Sequence, residues 1–156
     1  MKLDGSCHCG AVRFSVNASA PYPFMRCYCA ICRKTAGAGG YAINLGADRR
    51  SLRVTGKESL SVYRARLADG SFSSGERNFC RHCGSALWLF DPGWPELVHP
   101  HASAIDTPLP VPPDRVHIML DSKADWVQPE VREGDRCFDD YPDESLARWH
   151  ERHGFA

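Results

Sequence analysis

The chain has 156 residues, of which 43% are hydrophobic, and this length suits one domain with its own hydrophobic core. Its 19 basic and 19 acidic side chains cancel and no long basic run occurs, which makes nucleic acids and membrane surfaces poor candidates as partners. The amino-terminal segment lacks the apolar core of an export signal, and no apolar run approaches the length of a membrane-spanning helix, so we expect a cytoplasmic protein.

Alternation between apolar and polar residues predicts the first strand at residues 11–16, where Val12, Phe14 and Val16 share one face. A flexible glycine-rich loop is expected over residues 34–40, and an irregular segment rich in proline and histidine over residues 91–113. The pattern as a whole indicates a mainly β architecture. Further short strands are predicted at residues 41–44, 52–54, 60–66, 86–90 and 115–120, and in the segment that leads into Cys80.

The one helix that the sequence predicts lies in the tail, over residues 143–153. Asp143 is a good N-cap residue, and Leu146 and Trp149 have the i, i+3 spacing of one helix face. Gly154 can end the element. We therefore expect a short C-terminal helix after the β structure.

Seven of the eight cysteines fall into three tight clusters, and neighbouring thiols at such spacings can turn toward a common centre. Two pairs make one closed four-thiolate site, which is typical of structural zinc. The triple leaves one coordination position open, which is typical of catalytic zinc. The count therefore predicts two zinc ions. The clusters are Cys7-x-Cys9, Cys27-x-Cys29-x2-Cys32 and Cys80-x2-Cys83.

Other interpretations of the cysteines stay open at this point. Eight cysteines could form a disulfide framework, although the chain is large for such a scaffold and the spacings are those of metal sites. Cys80 and Cys83 could be a redox pair, but no thioredoxin-like βαβ pattern surrounds them. A histidine could close the triple and make it structural, with His99 and His101 as the best candidates. Cys137 stands alone, and we expect no special role for it.

Three segments of the chain carry a pattern that extends beyond the cysteines, and His117-Ile118 and Lys123-x2-Trp126 follow them. The segments are Gly5-Ser-Cys7-His-Cys9-Gly10-Ala-Val-Arg-Phe14, Cys27-Tyr-Cys29-Ala-Ile-Cys32-Arg-Lys34 and Phe79-Cys80-Arg-His-Cys83-Gly84. Together they span residues 5–126 and resemble the glutathione-dependent formaldehyde-activating enzyme family, whose domain is shared with centromere protein V. Ordered cysteine clusters at these separations are highly specific for that domain.

The resemblance implies a mainly antiparallel β-tent zinc-binding fold, as one domain over residues 1–156 with its core at 5–126. Two departures from the family pattern bear on the substrate. Tyr28 and Ala30 stand where many relatives carry histidine and serine, and Ala104-Ile105-Asp106 replaces a glycine-leucine-aspartate segment. The implied ligands, which agree with the cysteine count, are Cys7, Cys9, Cys80 and Cys83 for a structural zinc and Cys27, Cys29 and Cys32 for a catalytic zinc.

The reaction implied by the resemblance joins glutathione and formaldehyde, reversibly, to S-hydroxymethylglutathione, which makes the protein a carbon–sulfur lyase. Zinc deprotonates a coordinating thiol, so a substrate thiol at the open position would become a thiolate. Glutathione has two carboxylates, and Arg33 and Lys34 beside Cys32 are expected to bind them; more distant candidates are Arg49, Arg50 and Arg53. The alternatives are an enzyme of this type that acts on another thiol adduct, and a zinc-stabilised binding module without catalysis.

Overall fold

The computed structural model describes residues 1–155, which form short strands, two α-helices and connecting turns. The prediction of a mainly β fold with a short C-terminal helix is confirmed. The helices are α1 (Ala30–Ala36) and α2 (Leu146–Arg152). The strands are β1 (Lys2–Ser6), β2 (Arg13–Asn17), β3 (Phe24–Cys27), β4 (Ala42–Asn44), β5 (Ala47–Asp48), β6 (Arg53–Thr55), β7 (Leu60–Arg66), β8 (Phe72–Cys80), β9 (Ala86–Phe90), β10 (Leu97–Pro100), β11 (Arg115–Ile118) and β12 (Arg136–Cys137).

The first sheet has the strand order β1-β2-β6, and both of its pairings are antiparallel. The predicted alternation is confirmed, because Val12, Phe14 and Val16 are all buried. No prediction covered β1, whose Asp4 and Gly5 have low strand propensity. Gly5 belongs there for a steric reason, since a Cβ at this position would lie 2.5 Å from the Ala104 carbonyl oxygen.

The second sheet has the order β5-β10-β9-β8-β7 and is antiparallel throughout. The predictions at 60–66 and 86–90 match β7 and β9. The expectation of an irregular segment at 91–113 is wrong for β10, which pairs with both β9 and β5. Burial decides this, because Val98 is fully buried in the core, and Pro100 is tolerated as the last residue of the strand.

The third sheet, of order β12-β11-β3-β4, is mixed: β11 runs parallel to both β3 and β12. All four residues of β11 are buried, as is usual for parallel strands. The predicted strand at 115–120 ends at Ile118, because Met119 has a left-handed φ of 60°. The parallel pairing sets Ile118 opposite Cys27 and His117 opposite Arg26, and so brings residues from the second half of the chain to the cysteine triple.

Two hydrophobic clusters form the core, and each one holds one group of cysteines. The first joins the faces of the first two sheets around Leu3, Phe14 and Trp88 and includes Cys7 and Cys80. The second, smaller cluster contains Cys27, Cys32, Ala42, Val116 and Ile118. Each group of sulfurs is therefore attached to packed structure and not to a free loop.

Helix α1 corrects the expectation that the tail helix is the only one and that a loop begins at residue 34. The Cys29 side chain caps the helix by accepting a hydrogen bond from the Cys32 backbone N–H. Alanine, arginine and lysine in this segment have high helix propensity. The helix ends at Gly37, where a Cβ would lie 2.3 Å from the Tyr41 carbonyl oxygen, so only the later part of the predicted loop is a loop.

Helix α2 is shorter than predicted and begins later. Ser145 and not Asp143 is its N-cap, and the Asp143 carboxylate instead accepts hydrogen bonds from Arg136. Trp149 is buried, and the His150 side chain lies 2.7 Å from the Tyr22 carbonyl oxygen, which docks the helix on the segment before β3. Each of the two α-helices of the described chain has seven residues, too few to cross a lipid bilayer.

Candidate metal centres

Four cysteines from two turns converge on one point. Cys7 and Cys9 follow β1, while Cys80 ends β8 and Cys83 lies in the turn before β9. Their sulfurs all lie within 4.8 Å of one another, with Sγ–Sγ distances of 3.6 Å for Cys7–Cys9 and 3.7 Å for Cys9–Cys80. Zinc–sulfur bonds of about 2.3 Å in a tetrahedron separate sulfurs by about 3.8 Å. This four-sulfur group therefore fits a zinc ion.

A glycine just after each cysteine pair shapes both turns in the same way. Gly10 has φ +76° and Gly84 has φ +74°, a left-handed conformation that glycine adopts without strain. The N–H of Gly10 donates to the Cys7 carbonyl and that of Gly84 to the Cys80 carbonyl, each at 2.9 Å. The Val12 N–H also donates to Cys7 Sγ at 3.2 Å, which stabilises negative charge on that sulfur.

The second group is the cysteine triple of Cys27, Cys29 and Cys32, whose sulfurs also lie within 4.8 Å of one another. Cys27 ends β3, Cys29 caps α1, and Cys32 lies in the first turn of that helix. Cys27 and Cys32 are buried, whereas Cys29 is partly exposed. Solvent can therefore reach the triple on the side of Cys29.

The three thiols of the triple do not hold their protons equally. Hydrogen bonds from the thiols of Cys27 and Cys32 lower the pKa of Cys29 far below that of an ordinary thiol. The hydrogen bond to Cys29, with that to Cys32 and with burial, raises the pKa of Cys27. Negative charge is thus concentrated on one sulfur, and a metal cation would replace the shared protons.

No histidine of the described chain closes the triple. His99 Nδ1 lies 3.1 Å from the Leu45 carbonyl oxygen, and His101 Nδ1 lies 3.1 Å from Asn44 Oδ1. Within residues 1–155, no fourth histidine, cysteine or carboxylate joins the three sulfurs. The triple therefore fits a metal ion with three protein ligands and one further coordination position. Three further residues also stay outside both sulfur groups, namely His8, His82 and Cys137.

A buried chain of hydrogen bonds runs beneath the triple from Tyr28, the residue between its first two cysteines. The Tyr28 hydroxyl lies 2.9 Å from His117 Nδ1, and His117 Nε2 lies 3.1 Å from Asp135 Oδ2. Asp135 also pairs with Arg115, at 2.7 Å. Tyr28 and His117 have no exposed surface, and the side chains of Asp135 and Arg115 are 2% and 5% exposed. We call these four residues the Tyr28–Asp135 chain.

The protonation states along this chain follow from its charged end. Burial alone would raise the pKa of Asp135, but hydrogen bonds from Arg115, His117 and backbone N–H groups lower it well below its usual range. A carboxylate only accepts, so His117 Nε2–H donates to it. Burial also lowers the pKa of His117, so the imidazole is neutral and its Nδ1 accepts from the Tyr28 hydroxyl. The chain thereby anchors the cysteine loop to β11 and to the turn at residue 135.

Removing the Tyr28 hydroxyl should show how much these hydrogen bonds stabilise the folded protein. In Tyr28→Phe the buried Nδ1 of His117 loses its donor, so we expect the free energy of unfolding to fall by about 1–3 kcal/mol. Urea titration at a fixed zinc concentration would measure the loss. The matched control is Tyr63→Phe, because Tyr63 is exposed and its hydroxyl makes no hydrogen bond within residues 1–155. Equal stability of the two variants would contradict the anchoring role.

The predicted carboxylate-binding residues lie at the end of α1. Arg33 is half-buried, and its Nε has no hydrogen-bond partner among the described residues, whereas Lys34 is exposed. Both belong to the last turn of the helix that carries Cys32. Their contact with a substrate stays a prediction.

The more distant arginines are not brought to the triple. Arg49 and Arg53 line a cavity of about 700 Å³ between the first two sheets, and none of the clustered cysteines borders it. The Arg49 guanidinium stacks on the Phe90 ring at 5.0 Å. Arg50 is exposed in the short turn that joins β5 to β6. This cavity is therefore separate from the residues suited to bind a metal.

Comparisons with known proteins find a matching family, a similar sequence and a similar structure. A family model described as glutathione-dependent formaldehyde-activating enzyme matches residues 2–122. A protein of Halomonas elongata, provisionally given the same enzyme name, is 66% identical over 154 residues, and the match covers 99% of this chain and 98% of that protein. The crystal structure of a Rhodobacter sphaeroides protein is similar with a TM-score of 0.54 and 30% identity, over 70% of this chain and 92% of the other.

Proposed function

The chain belongs to the glutathione-dependent formaldehyde-activating enzyme family, and from this premise we propose that it is a zinc-dependent carbon–sulfur lyase. The proposed reaction joins glutathione and formaldehyde, reversibly, to S-hydroxymethylglutathione. One observation carries the proposal: the triple of Cys27, Cys29 and Cys32 has three converging sulfurs, a partly exposed side and no fourth protein ligand within the described chain. Three protein ligands with an open position are the usual arrangement of catalytic zinc.

We assign one zinc ion to each group of sulfurs. The four-sulfur group is closed and buried on one side, as structural zinc sites are. At the triple, a bound zinc ion would lower the pKa of a coordinating thiol and so make a thiolate available at neutral pH. The partly exposed Cys29 marks the side from which a substrate thiol would arrive.

The bond changes of the proposed reaction balance without a further reagent. The glutathione sulfur adds to the carbonyl carbon of formaldehyde, and the π electron pair of the carbonyl moves to its oxygen. That oxygen takes up the proton which the thiol released, so one carbon–sulfur bond forms and one hydroxymethyl group results. The protein orients the reacting groups. The hydrogen bonds of the Tyr28–Asp135 chain hold the cysteine loop in place, and the cationic side chains at the end of α1 bind the substrate carboxylates.

The cellular setting is part of the proposal. All eight cysteines are free, and thiolate ligands persist in a reducing compartment, so we place the protein in the cytoplasm. Equal numbers of acidic and basic side chains favour a small thiol over nucleic acid or a membrane surface as the partner.

Native mass spectrometry with and without glutathione would test the proposal, together with NMR measurement of adduct formation above the spontaneous rate. We expect two zinc ions per chain, a glutathione complex and a rate that rises with enzyme concentration. Two zinc ions without a glutathione complex would contradict glutathione as the substrate. That result would favour another thiol as the substrate, or a binding module without catalysis. Another thiol is considered because Tyr28 stands where many relatives carry histidine.

A carboxylate-binding role for the end of α1 gives a quantitative prediction. Replacing Lys34 with alanine should raise the glutathione dissociation constant several-fold. The effect is small because the Lys34 side chain is exposed, and an exposed ion pair with a substrate carboxylate is weak. Isothermal titration calorimetry would measure the dissociation constant. Lys2→Ala is the control, since Lys2 is also exposed but pairs with Asp4 in the first sheet. Equal dissociation constants for both variants would remove Lys34 from the binding site.

A further inference from the structure

A second cavity, of about 290 Å³, borders the helix that carries the triple. Thr35 on its wall follows Cys32 by three residues, so the two side chains are neighbours on one face of α1. The volume is close to the lower end, about 300 Å³, of the range for small-molecule sites. The other walls include Tyr63, Arg77, Phe79 and His101. We call this space the Arg77 cavity.

Arg77 is the one formally charged residue among those that line the cavity, and it lacks a partner of opposite charge. Its guanidinium donates one long hydrogen bond, to the Gly75 carbonyl at 3.3 Å, and no carboxylate within residues 1–155 forms an ion pair with it. Arg115 and Arg136, by contrast, hold carboxylates at 2.7 Å and 2.8 Å. A half-buried guanidinium with unused N–H groups is well suited to bind an anion.

The surroundings of Arg77 leave its charge uncompensated. Burial first, and then the positive charge of Arg77, lower the pKa of His101 to about 4, so this histidine is neutral near pH 7. Its Nδ1–H donates to Asn44 Oδ1, which leaves Nε2 as an acceptor. The cavity thus offers one cation and one neutral acceptor between aromatic walls, which suits a ligand with a carboxylate and N–H groups.

Strand pairing also links the cavity to the triple. His101 on the cavity wall is bridged to Asn44 in β4, and β4 pairs with β3 so that Ala42 lies opposite Cys27. Thr35 and His101 therefore connect the cavity wall to the two elements that carry Cys32 and Cys27.

We propose that Arg77 binds a carboxylate of a peptide thiol whose sulfur lies at the triple. This rests on the proposed function and adds a second anchor for the substrate, distinct from Arg33 and Lys34. A planar guanidinium can bind a carboxylate with two parallel hydrogen bonds, which an ammonium group cannot do. The substrate class is therefore a carboxylate-bearing peptide thiol, with its chain between Tyr63 and Phe79.

The test compares glutathione with its diethyl ester, which keeps the thiol and lacks both carboxylates, in the zinc-loaded full chain. Calorimetry of the wild type and of Arg77→Ala gives a four-way cycle of dissociation constants. We expect Arg77→Ala to weaken glutathione about tenfold or more and to change the ester little, with the metal content unchanged. Arg77→Lys should lie between the two, because it keeps the charge and loses the planar fork. Arg66→Ala, an exposed arginine at the end of β7, is the control.

The outcomes separate this inference from the proposed function. Equal weakening of glutathione and of the ester by Arg77→Ala, or no weakening of either, would overturn the role of Arg77 and leave thiol binding at the triple intact. A wild-type protein that binds neither thiol would overturn both. Arg77→Lys guards against misfolding of the alanine variant, since a retained melting temperature with weaker glutathione binding identifies loss of recognition and not loss of structure.

Discussion

The Cys29→Ser variant is expected to stay folded, to bind one zinc ion instead of two and to give no acceleration of adduct formation over the spontaneous reaction. The local structure explains why the fold should survive. Cys29 caps α1, and its Sγ accepts the Cys32 N–H at 3.3 Å. A serine hydroxyl is among the preferred N-cap acceptors, so the substitution keeps the cap and removes only a thiolate ligand.

The matched variant Cys80→Ser should be far more damaging. Cys80 is fully buried, and its sulfur lies 3.7 Å from that of Cys9, 71 residues earlier in the chain. The four-sulfur group thus joins two distant turns, whereas the triple lies within residues 27–32. Structural zinc contributes about 10–16 kcal/mol in zinc-finger peptides, as much as the whole stability of about 5–15 kcal/mol of a typical domain. We therefore expect Cys80→Ser to be largely unfolded.

Metal analysis, circular dichroism and NMR rates on the two variants would check this pair of results. An unfolded Cys29→Ser protein would make the second zinc structural and contradict the proposed catalytic site. A Cys29→Ser protein that keeps both zinc ions and the full rate would remove Cys29 from the ligands. The cysteine count predicts that only the four-sulfur site is structural. Equal melting temperatures for the two variants would contradict this prediction.

The two groups of converging cysteines were predictable because their members are close together in the chain and chemically distinctive. The spacing of Cys27, Cys29 and Cys32 requires only local geometry, and each cysteine pair carries a glycine where its turn needs a left-handed residue. Strands β2, β7 and β9 were also predictable from the sequence, since alternation or burial leaves a pattern of apolar residues. These features depend on contacts over a few residues.

The features that the sequence did not reveal depend on long-range contacts. Strand β10 forms because Val98 fills a core position between other strands, although prolines and histidines surround it. Helix α1 depends on a cysteine acting as an N-cap, which is not a residue that predicts a helix start. Asp135 lies 18 residues beyond His117, and no local pattern marks it as the partner. Arg77 likewise looks like one of many surface charges until the fold places it in a cavity.

The Asp135→Asn variant is expected to lose about 3–5 kcal/mol of unfolding free energy at neutral pH, because it breaks a buried ion pair by removing one partner. Arg115 would keep its buried charge, and its other carboxylate contact, with the exposed Glu130 at 3.4 Å, is too weak to replace the first. His117 would also lose its carboxylate acceptor. Urea titration would measure the loss, with Asp139→Asn as the control, since Asp139 is exposed and its carboxylate makes no hydrogen bond within the described chain.

The dependence of this loss on pH tests its electrostatic origin. The pKa of Asp135 in the folded protein lies below the ordinary value of about 3.9, because Arg115 and the other donors outweigh burial. Its contribution to stability is therefore complete above that ordinary value and declines as the pH falls through it toward the folded pKa. The difference between wild type and Asp135→Asn should shrink below about pH 4. That difference is the quantity to measure, because zinc release at low pH destabilises both proteins alike; a difference that stays constant down to about pH 2.5 would contradict an ionised Asp135 as its cause.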